Sequence, residues 1–365
     1  MIAMSRNALA IIAHLEPDLV IPGALKQFYP SMQGLLEAHR TTASLASLSI
    51  LMPTIVRHRI YRNHITTLLG LALPGIDPND LGKTTLSLTF MISTCMLIPL
   101  WDLSDPGDET ATASKWIAEQ MEIFESNPGE IPKSDMTNEE ADAVARSSTG
   151  SLAEWVTSFF NQIFGFLSNM PDAHKNTKTH EEIMVPMITL AVSTVLQSLE
   201  PKLFTLALRK MQRFITENVY HNAGEATASI CRCFVEIRPE ESLEAFLQPI
   251  VLSIREEILE NGAGKSGRIT ATEVLPRDRT LLWHLRIFFA LLGPRTGCTI
   301  LKYINTPNSM IEDVIELTAR ECRGTMYHFI GKSLVNVISS LSGIYTLGTP
   351  LVRKDRMLFI ILPSW

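Results

Sequence analysis

The sequence predicts an all-α protein, an α-solenoid in which consecutive helices stack in pairs. Apolar residues recur at steps of three or four along most of the chain, and prolines fall near the ends of many apolar runs. No segment shows the alternating pattern and hairpin turns of a half-buried strand. With 365 residues and a hydrophobic fraction of 46%, the chain is long enough for two or three compact domains or one elongated array.

The helical spacing is clearest in three stretches of the second half of the chain. Their apolar stripes are Leu152, Trp155, Phe159, Ile163 and Leu167; Phe204, Leu208, Met211, Ile215 and Val219; and Leu243, Phe246, Ile250, Ile254 and Ile258. Each stretch therefore predicts an amphipathic helix that must bury one face against a neighbour.

Prolines set the expected helix boundaries, because proline fits the first turn of a helix and disrupts its interior. The boundary set includes Pro22, Pro30, Pro53, Pro201 and Pro239. Pairing consecutive helices gives units of about 40 residues, the period of HEAT-type repeats. The fold class is therefore an α-solenoid of HEAT-like helical repeats, an armadillo-type superhelix, and two of its expected pairs span residues 80–126 and 151–198.

One region departs from the helical rhythm. Between Asp102 and Gly150 the chain becomes acidic and rich in Ser, Thr, Gly and Pro, with a short helix expected around Trp116 to Phe124. The predicted organisation is HEAT-like repeats over residues 1–101, an acidic and partly disordered insertion over 102–150, HEAT-like repeats over 151–345, and a divergent C-terminal tail over 346–365.

Charge, cysteine content and apolar runs indicate which partners and which compartment the chain favours. A formal net charge of -6 and a pI of about 5.9 argue against a broad nucleic-acid surface, so no direct nucleic-acid partner is expected. Five irregularly spaced cysteines favour a reducing compartment over a disulfide framework. The N-terminus lacks the ordered regions of a secretion signal. The apolar run from Leu86 to Trp101 is too short and too rich in Ser and Thr for a membrane span, which favours a buried helix.

Two tripeptides resemble the end of a phosphate-binding P-loop: Gly82-Lys83-Thr84 and Gly264-Lys265-Ser266. A P-loop also needs a glycine five positions earlier and a buried strand before it, so that backbone N–H groups can curl around phosphate. Those earlier positions hold Asp77 and Leu259, and neither follows a convincing strand. A P-loop nucleotide-binding enzyme is therefore only a remote alternative.

Local turn chemistry explains both tripeptides better. The stretch "PGIDPND" predicts a turn in which either Asp77 or Asp80 caps a helix that runs to about Ile98. The stretch "NGAGKSGR" predicts a helix stop followed by a flexible loop.

Other chemistry-bearing residues also favour structural roles. Cys231 and Cys233 diverge on a helix and lack a second pair at metal-ligand spacing. His58 and His64 flank an expected inter-helix turn. The carboxylates of Glu256, Glu257 and Glu260 are expected to face solvent, and the five tryptophans are expected in the core. We therefore predict no catalytic, cofactor-binding or metal-binding residues, no cofactor and no enzymatic activity.

Several blocks of the sequence carry a family resemblance. The stretch "LALPGIDPNDLGKTTLSLTF", from Leu71 to Phe90, resembles a marker of the giant HEAT-repeat proteasome activator family, the ATP-independent caps of the proteasome core particle. "EPDLVIPGALKQFYPSMQGLLEAHRTTASLASLSILMPTIV" and "LEPKLFTLALRKMQRFITENVYHNAGEATASICRCFVEIRPEESLEAF" resemble flanking parts of the same family, in the same order. The resemblance covers roughly residues 1–345, corresponds to the family's middle HEAT-repeat region, and is greatest to fungal members.

The resemblance implies a helical scaffold that binds the end ring of the core particle and regulates gate opening and peptide hydrolysis. It also implies a place in the nucleus and cytoplasm and a link to DNA repair. Family members are several times longer and end in a hydrophobic-Tyr-x hook, whereas this chain ends in "LFIILPSW". We therefore expect a fragment, which would self-associate when alone because neighbouring repeats no longer cover its apolar faces. A generic HEAT-repeat adaptor, of the transport or phosphatase-regulating type, is the alternative.

Overall fold

The structure is a computed structural model that describes residues 2–33, 38–104, 137–171, 180–265, 275–293, 297–304, 309–324, 326, 329 and 331–338. Within these residues the regular elements are α-helices and short 3-10 helices, and the only β pairing is an isolated parallel bridge between Leu100 and Leu199. The predicted all-α fold class is confirmed.

The described helices are α1 (Ile2–Leu15), α2 (Pro17–Gln33), α3 (Ala38–Arg57), α4 (His64–Ala72), α5 (Leu81–Cys95), α6 (Asn138–Ser148), α7 (Leu152–Ser168), α8 (His180–Ser198), α9 (Pro201–Glu217), α10 (Gly224–Ile237), α11 (Pro239–Leu259), α12 (Arg279–Leu291), α13 (Leu301–Ile304) and α14 (Met310–Glu321). The chain divides into two compact units, residues 1–226 and 227–365, with the division inside α10.

In the first unit, helices that are distant in sequence become neighbours. Helices α1, α2 and α3 pack together, α3 also packs on α5, and α7 packs on α9. The main further partner of α5 is α8, on the far side of the predicted insertion. The expected pair within 151–198 is therefore wrong, because α7 packs on α9 and α8 packs on α5. The second helix of the expected pair within 80–126 lies outside the described residues. Spacing identifies the apolar face of a helix, but it does not identify the helix that covers that face.

The predicted stripes form the cores. All members are buried except Val219, which is 41% exposed because α9 has already ended at Glu217. Between α7 and α9, Phe164 stacks on Phe214 with ring centroids 4.2 Å apart, and Phe214 stacks on Tyr220 at 5.6 Å. Stacked aromatic pairs of this kind stabilise by about 0.5–1.5 kcal/mol beyond their burial.

Part of the predicted acidic insertion is an ordered helix. Helix α6 begins with a capping box in which the Thr137 hydroxyl accepts from the Glu140 N–H and the Glu140 carboxylate accepts from the Thr137 N–H. Its Ala141 and Val144 are buried, and Asp142 accepts from Arg59 at 3.1 Å. Residues 138–148 are therefore helical within the segment that was expected to be partly disordered, because polar composition hid a local capping signal. The helix expected at Trp116 to Phe124 lies outside the described residues.

Proline positions were only partly predictive of helix ends. Pro201 and Pro239 start α9 and α11 as expected. Pro22 and Pro30 lie inside α2, and Pro53 lies inside α3, which contradicts the predicted boundaries. The lost backbone hydrogen bond is offset in α2 by a fully buried apolar face that includes Ile21, Leu25 and Tyr29.

The segment after α5 also differs from expectation. Helix α5 ends at Cys95, and Trp101 is 52% exposed, so this tryptophan is not in the core, unlike Trp155 and Trp283. The main chain of Leu100 is held instead: its N–H donates to the Ser198 carbonyl at 2.8 Å, and its carbonyl accepts from the Glu200 N–H at 3.1 Å. Among the described helices, none has both the length and the apolar character needed to cross a membrane.

The second unit is centred on α11, which packs on α12 and α14. Its stripe Leu243, Phe246, Ile250, Ile254 and Ile258 is fully buried, as predicted. Two surface ion pairs, Lys302 with Glu240 and Arg255 with Asp313, lie at its edge. Exposed pairs of this kind contribute little, about 0–1 kcal/mol each, so burial of the stripe dominates.

Candidate functional site

The turn between α4 and α5 was the principal candidate for chemistry, and its polar groups are used to build the turn. The Asp80 carboxylate accepts from the Lys83 N–H at 2.9 Å, so Asp80 is the N-cap of α5. Asp77 has another role: its side chain accepts from the N–H of Asn79 at 2.8 Å. Of the two predicted capping residues, Asp80 is therefore the one that caps α5.

Thr84 is the inward-facing member of the Gly82-Lys83-Thr84 tripeptide. Its side chain is fully buried, and its hydroxyl donates to the Asp77 carbonyl at 2.7 Å while accepting from the Asp77 N–H at 2.9 Å. One hydroxyl therefore satisfies both main-chain groups of a turn residue. In a P-loop this hydroxyl would be directed to a metal ion, whereas here it fixes the turn.

Gly75 fits because α5 approaches the turn closely. A Cβ atom at this position would lie 1.9 Å from the Ser87 Oγ and 3.1 Å from the Ser87 Cβ. The turn and helix α5 consequently interlock at Gly75 and Ser87. Packing against Ser87 therefore favours glycine at position 75, which the spacing of apolar residues alone did not show.

This geometry does not make a phosphate site. The residues before α5 are helix α4 and the 3-10 turn Leu73–Gly75, where a P-loop needs a buried strand. The Asp80 carboxylate occupies the first-turn N–H group that would otherwise face an anion. The turn is therefore a structural connection between two packed helices.

The second tripeptide, Gly264-Lys265-Ser266, begins in a turn where both main-chain groups of Gly264 are hydrogen-bonded. The Gly264 N–H donates to the Asp278 Oδ1 at 2.8 Å, and the Gly264 carbonyl accepts from the Arg323 N–H at 2.9 Å. Gly264 and Ala263 are buried, so the flexible-loop expectation is wrong for these residues. Ser266 lies outside the described residues.

Gly264 needs to be glycine for two reasons. Its φ is +79°, in the left-handed region, and a Cβ atom would lie 2.6 Å from the Cys322 Sγ. Burial, followed by the nearby Asp278 carboxylate, raises the pKa of the Cys322 thiol to about 11. Cys322 therefore stays protonated at neutral pH and serves as a small packing residue. Asp278 was missed by sequence reasoning, although its place just after Pro276 and before α12 signals a helix start.

The two histidines predicted to flank a turn, His58 and His64, differ in how deeply they are buried. His58 is half-buried at the turn, as expected, whereas His64 is buried and forms a hydrogen bond between its Nδ1 and the Tyr29 hydroxyl at 2.8 Å. Burial lowers the pKa of His64 to about 3. The ring is therefore neutral at physiological pH and serves packing between α2 and α4.

The remaining predicted positions fall as follows. Cys231 and Cys233 are buried free thiols, and burial raises the pKa of Cys231 far above its usual range. Glu256 and Glu260 are exposed, and Glu257 is half-buried. Throughout the part of the chain that the structure describes, no cluster of three or more His, Cys, Asp or Glu side chains could hold a metal ion.

These features define a helical-repeat protein, whose described inter-helix turns use their polar groups for packing. The family model described as "Proteasome activator complex subunit 4, mid HEAT repeats region" matches residues 1–357. The chain belongs to that family, which confirms the resemblance of its sequence blocks.

Individual relatives agree with the family match. The chain is similar to Proteasome activator complex subunit 4 of Homo sapiens, with 27% identity over 328 residues, which cover 86% of this chain and 16% of the relative. It is 26% identical over 357 residues to subunit 4A of Danio rerio, covering 93% of this chain and 17% of the relative. It is 22% identical over 288 residues to Proteasome activator BLM10 of Saccharomyces cerevisiae, covering 76% and 13%. The chain thus spans between 13% and 17% of the length of these relatives.

Proposed function

We propose that this chain is the middle HEAT-repeat segment of a proteasome activator that binds the end ring of the core particle. The observation that carries the proposal is the match of the mid HEAT repeats model to residues 1–357. In this role the segment is a scaffold with no chemistry of its own. The complete activator regulates gate opening and peptide hydrolysis, and it works in the nucleus and cytoplasm.

The arrangement of polar groups supports a scaffold role. Thr84, Asp278 and His64 are all buried, and each is hydrogen-bonded to a neighbouring structural element. Groups held in this way rigidify the turns between helices. A stack of helices with rigid turns can present a fixed surface to a large partner, which is how solenoid proteins bind.

Co-sedimentation with purified core particle tests the proposal, and it requires the full-length protein that contains this segment. We expect the protein to sediment with the core particle and to increase hydrolysis of short fluorogenic peptides without added nucleotide. A protein that neither binds nor changes hydrolysis would contradict the activator proposal and favour a generic HEAT-repeat adaptor.

Two lysine variants distinguish the scaffold from the P-loop alternative. Lys83→Ala and Lys265→Ala remove the only side chains that a P-loop would direct to phosphate in the two tripeptides. We expect both variants to retain core-particle binding and peptide hydrolysis. Specific ATP binding that either substitution abolishes would revive the nucleotide-binding enzyme.

A further inference from the structure

Helix α9 carries three exposed basic residues along one line, Lys202, Arg209 and Arg213, which we call the cationic ridge. Their spacing of seven and four residues places them on one side of the helix, opposite the buried side chains of Phe204, Met211 and Ile215. The ridge is about 17 Å long at the helical rise of 1.5 Å per residue.

The cationic ridge is unfavourable for the helix that carries it. Arg209 and Arg213 are like charges at i and i+4, and Lys202 stands in the first turn, where the helix dipole disfavours a cation. Glu217 accepts from the Arg213 Nε at 2.9 Å, but the Arg213 side chain remains 77% accessible in this exposed pair. Among the described residues, no carboxylate forms an ion pair with Lys202 or Arg209. The ridge therefore presents accessible positive charge to an anionic group outside the helix.

This chain contains a segment of complementary charge. Residues 105–136 hold eight Asp and Glu residues and two Lys residues, a net charge of -6. The whole chain also has a formal net charge of -6, so the rest of the chain is balanced with 30 acidic and 30 basic residues. The excess negative charge of the protein is thus concentrated in one stretch of 32 residues.

The acidic segment leaves the described structure beside the cationic ridge. Ser104, the last described residue before the segment, lies four residues after Leu100. Leu100 hydrogen-bonds to Ser198 and Glu200, and Lys202 follows two residues later. The Leu103 N–H also donates to the Thr149 Oγ1 at 2.8 Å, which fixes this departure point. A tether of this kind holds a ligand at an effective concentration in the millimolar range.

We propose that the cationic ridge of α9 is the docking site for this chain's own acidic segment, residues 105–136. The contact is electrostatic, between Asp and Glu carboxylates and the Lys202, Arg209 and Arg213 side chains. It is independent of core-particle binding, so it stands or falls separately from the proposed function.

Carbodiimide coupling tests the proposal, because this reagent joins a carboxylate to a lysine amine only when the two are in contact. The 365-residue chain is treated at low ionic strength, and cross-linked peptides are identified by mass spectrometry. We expect Lys202 to couple to residues 105–136 several-fold more than Lys26, an exposed lysine of the same unit. In about 1 M salt, where the screening length is about 3 Å, the Lys202 yield should fall to that of Lys26.

A charge variant separates the ridge from simple proximity. The double substitution R209Q and R213Q should reduce coupling of Lys202 to the distant carboxylates from Glu119 onward several-fold, whereas Arg255→Gln on α11 should leave it unchanged. Circular dichroism checks that the variants retain their helices. Equal coupling of Lys202 and Lys26, or no effect of the double substitution, would overturn the proposal. Cross-links between isotope-labelled and unlabelled copies in place of links within one chain would also overturn it, since the ridge would then hold a second copy.

Discussion

The Tyr29 hydroxyl lies 2.8 Å from the Nδ1 of His64 and joins α2 to α4 through a buried hydrogen bond. Both side chains are almost completely buried. The imidazole is therefore held in its neutral form, and it links the stability of the first unit to pH.

Acid should destabilise the first unit through His64. Its pKa is about 3 when folded, against an ordinary value of 6.5, so the unfolded chain binds more protons between these pH values. Stability from this group is complete above pH 6.5 and falls by about 1.4 kcal/mol per pH unit below it, until about pH 3. Urea unfolding at a series of pH values measures the slope, and His64→Gln should make it shallower. The second buried histidine, His284, is left intact in this variant, so its own contribution to the slope does not change. An unchanged slope would therefore contradict the role of His64.

The close approach to α5 of the turn that precedes it, residues 73–80, predicts that Gly75 tolerates no larger residue. Gly75→Ala should lower the free energy of unfolding by about 1–3 kcal/mol, because the new methyl group would overlap the Ser87 Oγ. Gly70→Ala is the matched control: no atom lies within 4 Å of its added Cβ, and alanine favours a helix. Chemical denaturation of both variants measures the difference, and equal stabilities would contradict the interlock.

The turn at Gly264 in the second unit allows backbone strain and crowding to be separated. Gly262 and Gly264 have φ values of +63° and +79°, so alanine is strained at both. Only Gly264→Ala also places a Cβ 2.6 Å from the Cys322 Sγ. We expect Gly262→Ala to cost about 1 kcal/mol and Gly264→Ala to cost clearly more. Thermal unfolding of the two variants side by side would show equal losses if the close contact were unimportant.

Removal of the Asp80 cap should weaken the first turn of α5. Asp80→Ala leaves the Lys83 N–H without its acceptor and should cost about 1 kcal/mol, whereas Asp80→Asn keeps an oxygen acceptor and should cost little. Hydrogen exchange at the first turn of α5 reports the effect locally. Equal protection in the two variants would show that the cap is not the Asp80 carboxyl oxygen.

The isolated chain should self-associate, in keeping with the expectation from its sequence. Helix α1 and the start of α2 expose Ile11, Leu15 and Leu19, which are 62%, 70% and 75% accessible. Replacing Leu15 and Leu19 by Gln should shift the chain toward monomer in sedimentation velocity, because less apolar area is available for association. Met96→Gln, at an exposed site after α5, is the control. A monomeric unmodified chain would contradict the prediction.

The sequence predicted individual helices well and their partners poorly. The stripe from Leu243 to Ile258 could be placed in a core because its 3.6-residue period is a local property. The pairing of α5 with α8 could not, because their contact depends on residues about 100 positions apart, such as Thr85 and Met184. The capping of α5 by an aspartate of the "PGIDPND" turn was predicted, although the sequence left Asp77 and Asp80 as alternatives. The hydrogen bonds of Thr84 and Asp278 could not be predicted from the sequence. A hydroxyl or a carboxylate can cap a helix, bridge two main-chain groups or bind a ligand, and the sequence does not distinguish these roles.

The docking of α5 on α8 also sets an order for folding during synthesis. The contact order of this part of the first unit is high, because Thr85 meets Met184 across 99 positions of sequence. At a ribosomal rate of about 5–20 residues per second, α5 waits at least several seconds for its partner. Helix α3 is made first and can already cover its part of α5, whereas the part that α8 covers stays exposed during that interval. That part of α5 is therefore where a chaperone would bind before α8 is made.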